Sequence, residues 1–410
     1  MIAAARHAAL TLSWAVAIFL LVLPALLGSL ASIAAVLLAL LLLPILLGPR
    51  ALPSLARQPA MPIFAAAFAV ILICFAVTAR NPGNLLFATS LLALPLAPLV
   101  YLLAAKIADR AGSLMLLAAL CALGAVICAL VAANDVFLRG LARAAGFIMG
   151  GNLLARIALI LGFTAMGGVF LTRSPLRFLL YLGPLAALIA VYLTQTRGAA
   201  IAVPALALVF AGFLAADARD RRQLWALAAL LVVAIAFAGL SGRFGGILAT
   251  FGEVLKTGAA GADNAANERL EMLGTAWEAF KAAPWIGYGW ANFGAAAAPF
   301  MDMGPHGGPT AGGFQFHNDF ANFAVAAGIP GMLSLLALLA APVVGALATP
   351  RDPLFRFRLY CCLQLSVGYA IFGLTDFTFG YDLPTTLYAF LTAAVLGALR
   401  EQPAAPQPAS

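Results

Sequence analysis

The chain has 410 residues, of which 64% are hydrophobic and only 9% charged, with a mean hydropathy of +1.04, far from the roughly half-apolar, quarter-charged make-up of a soluble globule. This composition excludes a water-soluble enzyme and indicates an all-α polytopic membrane protein, since each helical crossing takes about 20 mostly apolar residues and satisfies its own backbone amides in lipid. The apolar runs lack the alternation of a membrane β-barrel, and the net charge of +8 forms no basic stripe interleaved with aromatics, so no nucleic-acid partner is expected.

Polar punctuation divides the chain into twelve predicted spans, beginning near Leu10, Leu30, Pro62, Leu85, Gly112, Asn152, Phe178, Ala199, Leu224, Pro330, Leu359 and Leu383; eleven or thirteen are alternatives. The first apolar run, residues 8–47, carries Pro24, Gly28 and Ser29 midway and reads as a tight helical hairpin. It runs straight on into a second span, so no cleavable signal is expected. About nine spans fall in residues 1–241. One large polar loop with amphipathic helices occupies 242–329, about three spans fill 330–400, and the Pro/Ala-rich residues 401–410 read as a disordered tail. The five cysteines, Cys74, Cys121, Cys128, Cys361 and Cys362, all lie in predicted spans and offer neither a disulfide framework nor a metal-ligand spacing.

Charge sets the expected orientation. With a cytoplasmic N-terminus, the inside segments carry Arg6, Arg50, Arg57, Lys106, Arg110, Arg173, Arg177, Arg219, Arg221, Arg222, Arg351, Arg356, Arg358 and Arg400, most of the 23 basic residues. The positive-inside rule then places both termini in the cytoplasm and the polar loop on the opposite side of the membrane.

Three outward elements carry candidate chemistry. Thr194-Gln195-Thr196-Arg197-Gly198 joins two spans so tightly that Arg197 lies at the outer membrane surface or just below it, where it either snorkels to the headgroups or offers a planar fork to a phosphate. In the loop, Glu268, Arg269, Met272, Leu273, Ala276, Trp277 and Phe280 recur at helical spacing and predict an amphipathic helix ended by Pro284. Arg269 there is either a surface ion-pair partner or a ligand for an anion. His317 precedes Asn318 and Asp319, either of which caps a short helix before Gly328-Ile329-Pro330-Gly331 breaks it. A histidine held at the lip of a membrane cavity suits a general base, whereas in a loop it is more commonly a polar surface residue. His306, in Gly304-Pro305-His306-Gly307-Gly308, reads as flexible loop. Arg156, Asp376 and Asp382 fall at outer ends of spans, where they either line the same cavity or snorkel. There is no phosphate-binding G-x-x-x-x-G-K-[ST] run, no Asp-X-Asp and no His-X-X-X-His, so no metal or other cofactor is expected.

Taken in order, Thr196-Arg197-Gly198, then Arg269, Trp277, Phe280, Pro284, Gly287-Tyr288-Gly289 and Phe293, then His317-Asn318 and Gly328-Ile329-Pro330-Gly331 resemble the bacterial O-antigen ligase and polymerase superfamily over about residues 190–345. The resemblance implies a C-type glycosyltransferase of the bacterial inner membrane with its active site facing the periplasm. Such an enzyme moves a glycan from undecaprenyl pyrophosphate to an acceptor, which in ligases is the lipid A-core oligosaccharide. It also implies catalytic roles for Arg197, Arg269 and His317, with Arg156, Gln195, Glu268, Gln315, Asn318, Asp319 and His306 as the candidate substrate-binding set. Relatives often carry a further polar or histidine residue just before His-Asn; here Gln315 and Phe316 stand there, which leaves the parts of Gln315 and His306 open.

On this reading Arg197 and Arg269 stabilise the leaving pyrophosphate without a metal. His317 takes the acceptor hydroxyl's proton, with Glu268 or Asp319 as alternatives for orienting it or acting as the base. The expected reaction is inverting, and Arg197, Arg269 and His317 are expected to line one outward cavity. A repeat-unit polymerase or a protein O-oligosaccharyltransferase would share the donor and differ in the acceptor. Protein-modifying relatives commonly add a soluble C-terminal domain, whereas this chain stops soon after Arg400. A transporter or flippase would instead gather ionisable residues and broken helices near the midplane.

Overall fold

The computed structural model describes residues 14–41, 55, 57–107, 109–217, 220–240, 243–258, 260–261, 263–301 and 314–398. His306 and the tail 401–410 lie outside the described residues. Every regular element among the described residues is a helix. A helical stretch over residues 14–21 passes through a single turn at Pro24–Leu27 and reverses at Gly28 (φ 54°) into α1 (Ser29–Leu41). The hairpin therefore breaks at the residues that marked it in the sequence.

The core helices follow as α2 (Ala60–Thr78), α3 (Ala93–Ala105), α4 (Arg110–Ala133), α5 (Gly151–Ala165), α6 (Leu182–Thr194) and α7 (Arg197–Ala215). After these come α8 (Gln223–Leu240), α9 (Arg243–Thr257), α10 (Asn264–Ala282), α11 (Asp319–Leu347), α12 (Phe355–Thr375) and α13 (Asp382–Gly397). Among the described residues eight helical stretches are long and apolar enough to cross a bilayer: those containing α2 to α7, α11 and α12, several lengthened by a turn of tighter or wider helix. The other four predicted spans fall on the 14–21 stretch, α1, α8 and α13. The protein is a polytopic, all-helical membrane protein.

Helix α5 sits innermost, packed against α4, α6, α7 and α12. Small residues permit this approach: a Cβ at Gly162 would lie 2.6 Å from the Gly183 carbonyl on α6, the kind of close backbone crossing that supports helix association in lipid. Arg156, one and a half turns into α5, is thereby enclosed at 4% exposure.

Both ends of α12 are ionic. Its 21 residues span about 30 Å. At the start, buried Arg358 bonds Asp352, Thr349 and the Pro350 and Ala398 carbonyls, while Arg356 bonds Asp217 and Asp220. The other end opens onto the candidate site.

The polar loop contributes α10. Its packed stripe is Thr275, Ala276 and Ala279, turned towards α11, whereas Leu273 and Trp277 face outward, Trp277 at 58% exposure and stacked on Phe280. The amphipathic expectation grouped Ala276 with Trp277; the helix separates them because only the small residues fit its contact with α11. The turn after α10 locks onto a break in α11 at Gly328 (φ 60°, ψ −146°). Tyr288 and Gly289 N–H donate to the Val325 and Ala326 carbonyls at 2.8 and 2.9 Å, and Ile329 N–H donates to Pro284 O at 2.7 Å. These bonds satisfy the backbone groups that the break sets free.

Candidate active site

The start of α11 fixes His317. Asn318 is the N-cap: its Oδ1 accepts the Ala321 N–H at 3.0 Å, and its Nδ2 donates to the Leu374 carbonyl at 2.9 Å, tying the start of α11 to the end of α12. Asp319, 1% exposed, accepts the Thr378 and Phe379 N–H groups of the segment that follows α12. With both residues anchored, His317 is held in a left-handed conformation (φ 49°), a backbone state that costs a non-glycine residue about 1 kcal/mol or more and persists only where the surroundings enforce it.

Its partner is Asp376, the C-cap of α12. His317 Nδ1 lies 2.7 Å from Asp376 Oδ1, which also accepts the Phe377 N–H, and the second carboxylate oxygen is taken by Arg156 Nη2. Arg156 Nη1 continues to the Phe377 carbonyl at 2.9 Å. Burial raises the Asp376 pKa, but the hydrogen bond from His317, the charge of Arg156 and the Phe377 N–H outweigh it and bring it down to about 2. Asp376 is therefore an anion at neutral pH, so a neutral His317 carries its proton on Nδ1 and leaves Nε2 as the acceptor.

His317, Asp376 and Arg156 line a cavity of about 760 Å³. Asn152 and Thr194 border it, and residues 141–145 and 148–151, with Tyr381 and Asp382, complete its lining. The charged span ends Arg156, Asp376 and Asp382 thus line one cavity.

Residues 182–336 match the family model described as O-antigen ligase. This stretch belongs to the O-antigen ligase superfamily. It runs from α6 into α11 and contains Arg197, Arg269 and His317, whereas Arg156 and Asp376 fall outside it, on either side. No curated protein matches the chain. A membrane protein with this domain is glycosyltransferase-like, of the O-antigen ligase or polymerase kind.

The O-antigen ligase stretch does not bring its three expected residues into one cavity. Of Arg197, Arg269 and His317, only His317 lines it. Arg197 is ion-paired with Asp263, the N-cap of α10, which also accepts the Thr250 hydroxyl at 3.3 Å. Burial raises the Asp263 pKa, and the bonds from Arg197 and from the Ala266 N–H more than reverse this, leaving it lowered. Arg197 nevertheless stands beside the cavity. Thr194 lines the wall, Thr196 Oγ1 lies 3.1 Å from Thr194 Oγ1 and 3.3 Å from Asn152 Oδ1, and a Cβ on Gly198 would lie 2.8 Å from Thr375 Oγ1. Glu268 and Arg269 are exposed on α10, before its packed stripe begins, and lie outside the lining.

Other expected substrate ligands hold the scaffold instead. Gln195, left-handed at the end of α6, donates Nε2 to the Ala142 carbonyl at 2.8 Å. Asn318 and Asp319 anchor α11 rather than line the cavity. Gln315 Nε2 reaches the Tyr381 hydroxyl at 3.4 Å. The carboxylate that orients His317 is Asp376, in place of Glu268 or Asp319, because the Asn318 tether brings the ends of α11 and α12 together. Asp376 was visible beforehand only as an ionisable residue at the end of an apolar span.

Proposed function

We propose that the chain is an inverting, metal-independent O-antigen ligase that transfers a glycan from undecaprenyl pyrophosphate to the lipid A-core oligosaccharide at the periplasmic face of the bacterial inner membrane. The observation that carries this reading is the His317–Asp376–Arg156 array on the wall of a glycan-sized cavity. His317 Nε2 takes the acceptor hydroxyl's proton as its oxygen bonds to the anomeric carbon from the face opposite the leaving group. The bond from that carbon to the pyrophosphate oxygen breaks, and its electron pair leaves with the pyrophosphate. Asp376 fixes the imidazole tautomer and stabilises the imidazolium that forms; Arg156 keeps Asp376 ionised and in place. General-base assistance of this kind is worth about 10² to 10⁴ in rate.

Arg197, beside the cavity, and Arg269, on α10, are the cations for the developing pyrophosphate charge and need a shift of α10 to meet it, a closure of the kind many transferases use. The reading takes residues 242–329 as a periplasmic loop over the cavity, between the helical segments 1–241 and 330–400. The basic residues at the far end of α12 then face the cytoplasm together with both termini, as the charge bias requires.

The test is transfer by purified protein from undecaprenyl-pyrophosphate glycan, comparing lipid A-core with a second glycan carrier as acceptor. Lipid A-core transfer that falls at least 100-fold in His317→Ala and persists in EDTA supports the ligase. Elongation of the donor glycan without lipid A-core transfer makes the chain a repeat-unit polymerase, and transfer to a protein makes it an O-oligosaccharyltransferase. Full activity of His317→Ala removes the base.

A further inference from the structure

Helix α10 presents three faces, and its packing accounts for only one of them. Thr275, Ala276 and Ala279 turn towards α11. Glu271 and Glu278, seven residues apart and both exposed, make a second, acidic face. The third is apolar: Leu270, Leu273 and Trp277 recur at spacings of three and four, and Leu273 and Trp277 are exposed. Lys281 stands at the border of the apolar and acidic faces, with Nζ 2.7 Å from Glu278 Oε2 and 6.0 Å from the centre of the Trp277 ring. A lysine so placed keeps its ammonium among polar groups while its stem and charge lie against an aromatic ring. Just past the end of α10, Trp285, 72% exposed, and Ile286 add to the uncovered apolar surface.

The height of this surface along the bundle shows what meets it. The turn 284–289 is bonded to the break in α11 at Gly328, and beyond that break residues 329–347 rise about 28 Å, close to the thickness of a hydrocarbon core. Helix α2, of 19 residues, matches this length and ends at the same place: Thr78, its last residue, lies against Gly289, and its carbonyl accepts from Asn292 Nδ2. Two membrane-crossing helices thus end at one turn. Their exposed apolar rows, Val70, Ile73 and Val77 on α2 and Ile329, Leu333 and Leu336 on α11, are the surface they offer to lipid. Because the Pro284 carbonyl accepts the Ile329 N–H, Trp285 continues that surface at its edge, the level at which tryptophan concentrates in membrane proteins.

We propose that α10 is an interfacial helix, whose Leu273 and Trp277 face, with Trp285 and Ile286, sinks into the headgroup boundary of the leaflet at this end of α2 and α11, while Glu271 and Glu278 face water. The partner is the lipid leaflet rather than a second copy of the chain, because the patch continues a lipid-facing surface and carries the tryptophans and bordering lysine that suit a headgroup layer. The position of Arg269, and of the Asp263 that pairs with Arg197, then depends on the bilayer as well as on α11. This inference stands on the membrane-spanning fold and holds whichever glycan the protein transfers.

The experiment is tryptophan fluorescence of the full-length protein in phosphatidylcholine nanodiscs, with the lipid unmodified, brominated high on its acyl chains, or brominated near the chain ends. The wild type is compared with Trp277→Phe and Trp285→Phe, and the emission lost in each variant is that ring's own signal. Each signal should lose most of its intensity to the shallow bromines, less to the deep ones, and little to aqueous iodide. Both side chains are exposed and phenylalanine keeps an apolar ring, so the unfolding midpoints of the variants should stay with the wild type. Signals that iodide quenches and bromine does not would put this face in water and overturn the proposal. Signals insensitive to both would mean that protein covers it, a second copy or another segment of the chain, and would overturn it equally. Stronger quenching from the chain ends than from the shallow position would rule out a seat at the interface. Loss of glycan transfer by the purified protein would bear on the ligase reading alone, since the fluorescence needs no substrate.

Discussion

His317 and Asp376 are 59 positions apart in the chain and meet at 2.7 Å because Asn318 bonds the Leu374 carbonyl. The tether joins two helix ends rather than two loops, so the imidazole is placed by the packing of α11 on α12. A base carried this way depends little on the conformation of α9 and α10.

Asp376 makes the fold sensitive to acid. Its pKa lies at about 2 against an ordinary 3.8, so its interactions stabilise the folded state fully above pH ~4 and are lost as pH falls towards 2. Lowering a carboxylate's pKa by one pH unit on folding is worth about 1.4 kcal/mol, so the contribution here is about 2 kcal/mol. Unfolding midpoints in detergent should fall more between pH 5 and pH 2.5 for the wild type than for Asp376→Asn. Parallel curves for the two would contradict the assignment.

The joint at Gly328 sets a second expectation. Its φ of 60° with ψ of −146° is a region that only glycine occupies readily, and an added Cβ would meet the Pro284 carbonyl and the Trp285 backbone. Gly328→Ala should therefore cost about 3 kcal/mol or more and loosen the turn 284–289 from α11. Limited proteolysis should find new cleavage in that turn. An unchanged proteolytic pattern would mean that the turn has another anchor.

Much of this was legible beforehand, and what was missed has a common physical cause. The hairpin at Pro24 and Gly28, the Asn318 cap and the break at Gly328 are local, written within a few residues of chain. The partner of His317 is not, because its identification needs α11 and α12 to be neighbours with these ends together. The Arg197–Asp263 pair likewise bridges 66 positions, and among the scattered loop acids nothing singled out Asp263 except its position just before a helix. On α10 the apolar spacing put Ala276 and Trp277 on one face, and only the contact with α11 decides that Ala276 turns in and Trp277 out.

That same Asp263 does two jobs which mutation can separate. Asp263→Ser keeps an N-cap acceptor for α10 and releases Arg197, while Asp263→Ala removes both at a cost of about 1 kcal/mol for the cap. If Arg197 serves the leaving pyrophosphate, D263S should keep transfer within about threefold of the wild type, since a surface ion pair contributes about 0 to 1 kcal/mol. Arg197→Ala should lower kcat/KM at least 10-fold. Should D263S be as impaired as R197A, the arginine's importance would lie in holding α10.

The Arg156–Asp376 pair is the sharpest test of structure against catalysis. Both side chains are buried, 5% and 9% exposed, so removing one leaves the other's charge in a poorly solvated place, which typically costs about 3 to 5 kcal/mol. Arg156→Met should thus destabilise the protein, and Asp376→Leu likewise. The double variant should be more stable than the sum of the two losses allows, with a coupling of about 1 to 3 kcal/mol. Activity should follow a different rule. R156M keeps Asp376 on His317 and should retain part of the transfer rate. D376L and the double variant lose the group that fixes the imidazole tautomer, so both should fall at least 100-fold however well the double variant folds. Chemical denaturation in detergent and initial rates, measured on the same four proteins, supply the comparison. Recovery of activity together with stability in the double variant would reduce Asp376 to a counter-ion for Arg156 and leave His317 without an orienting partner.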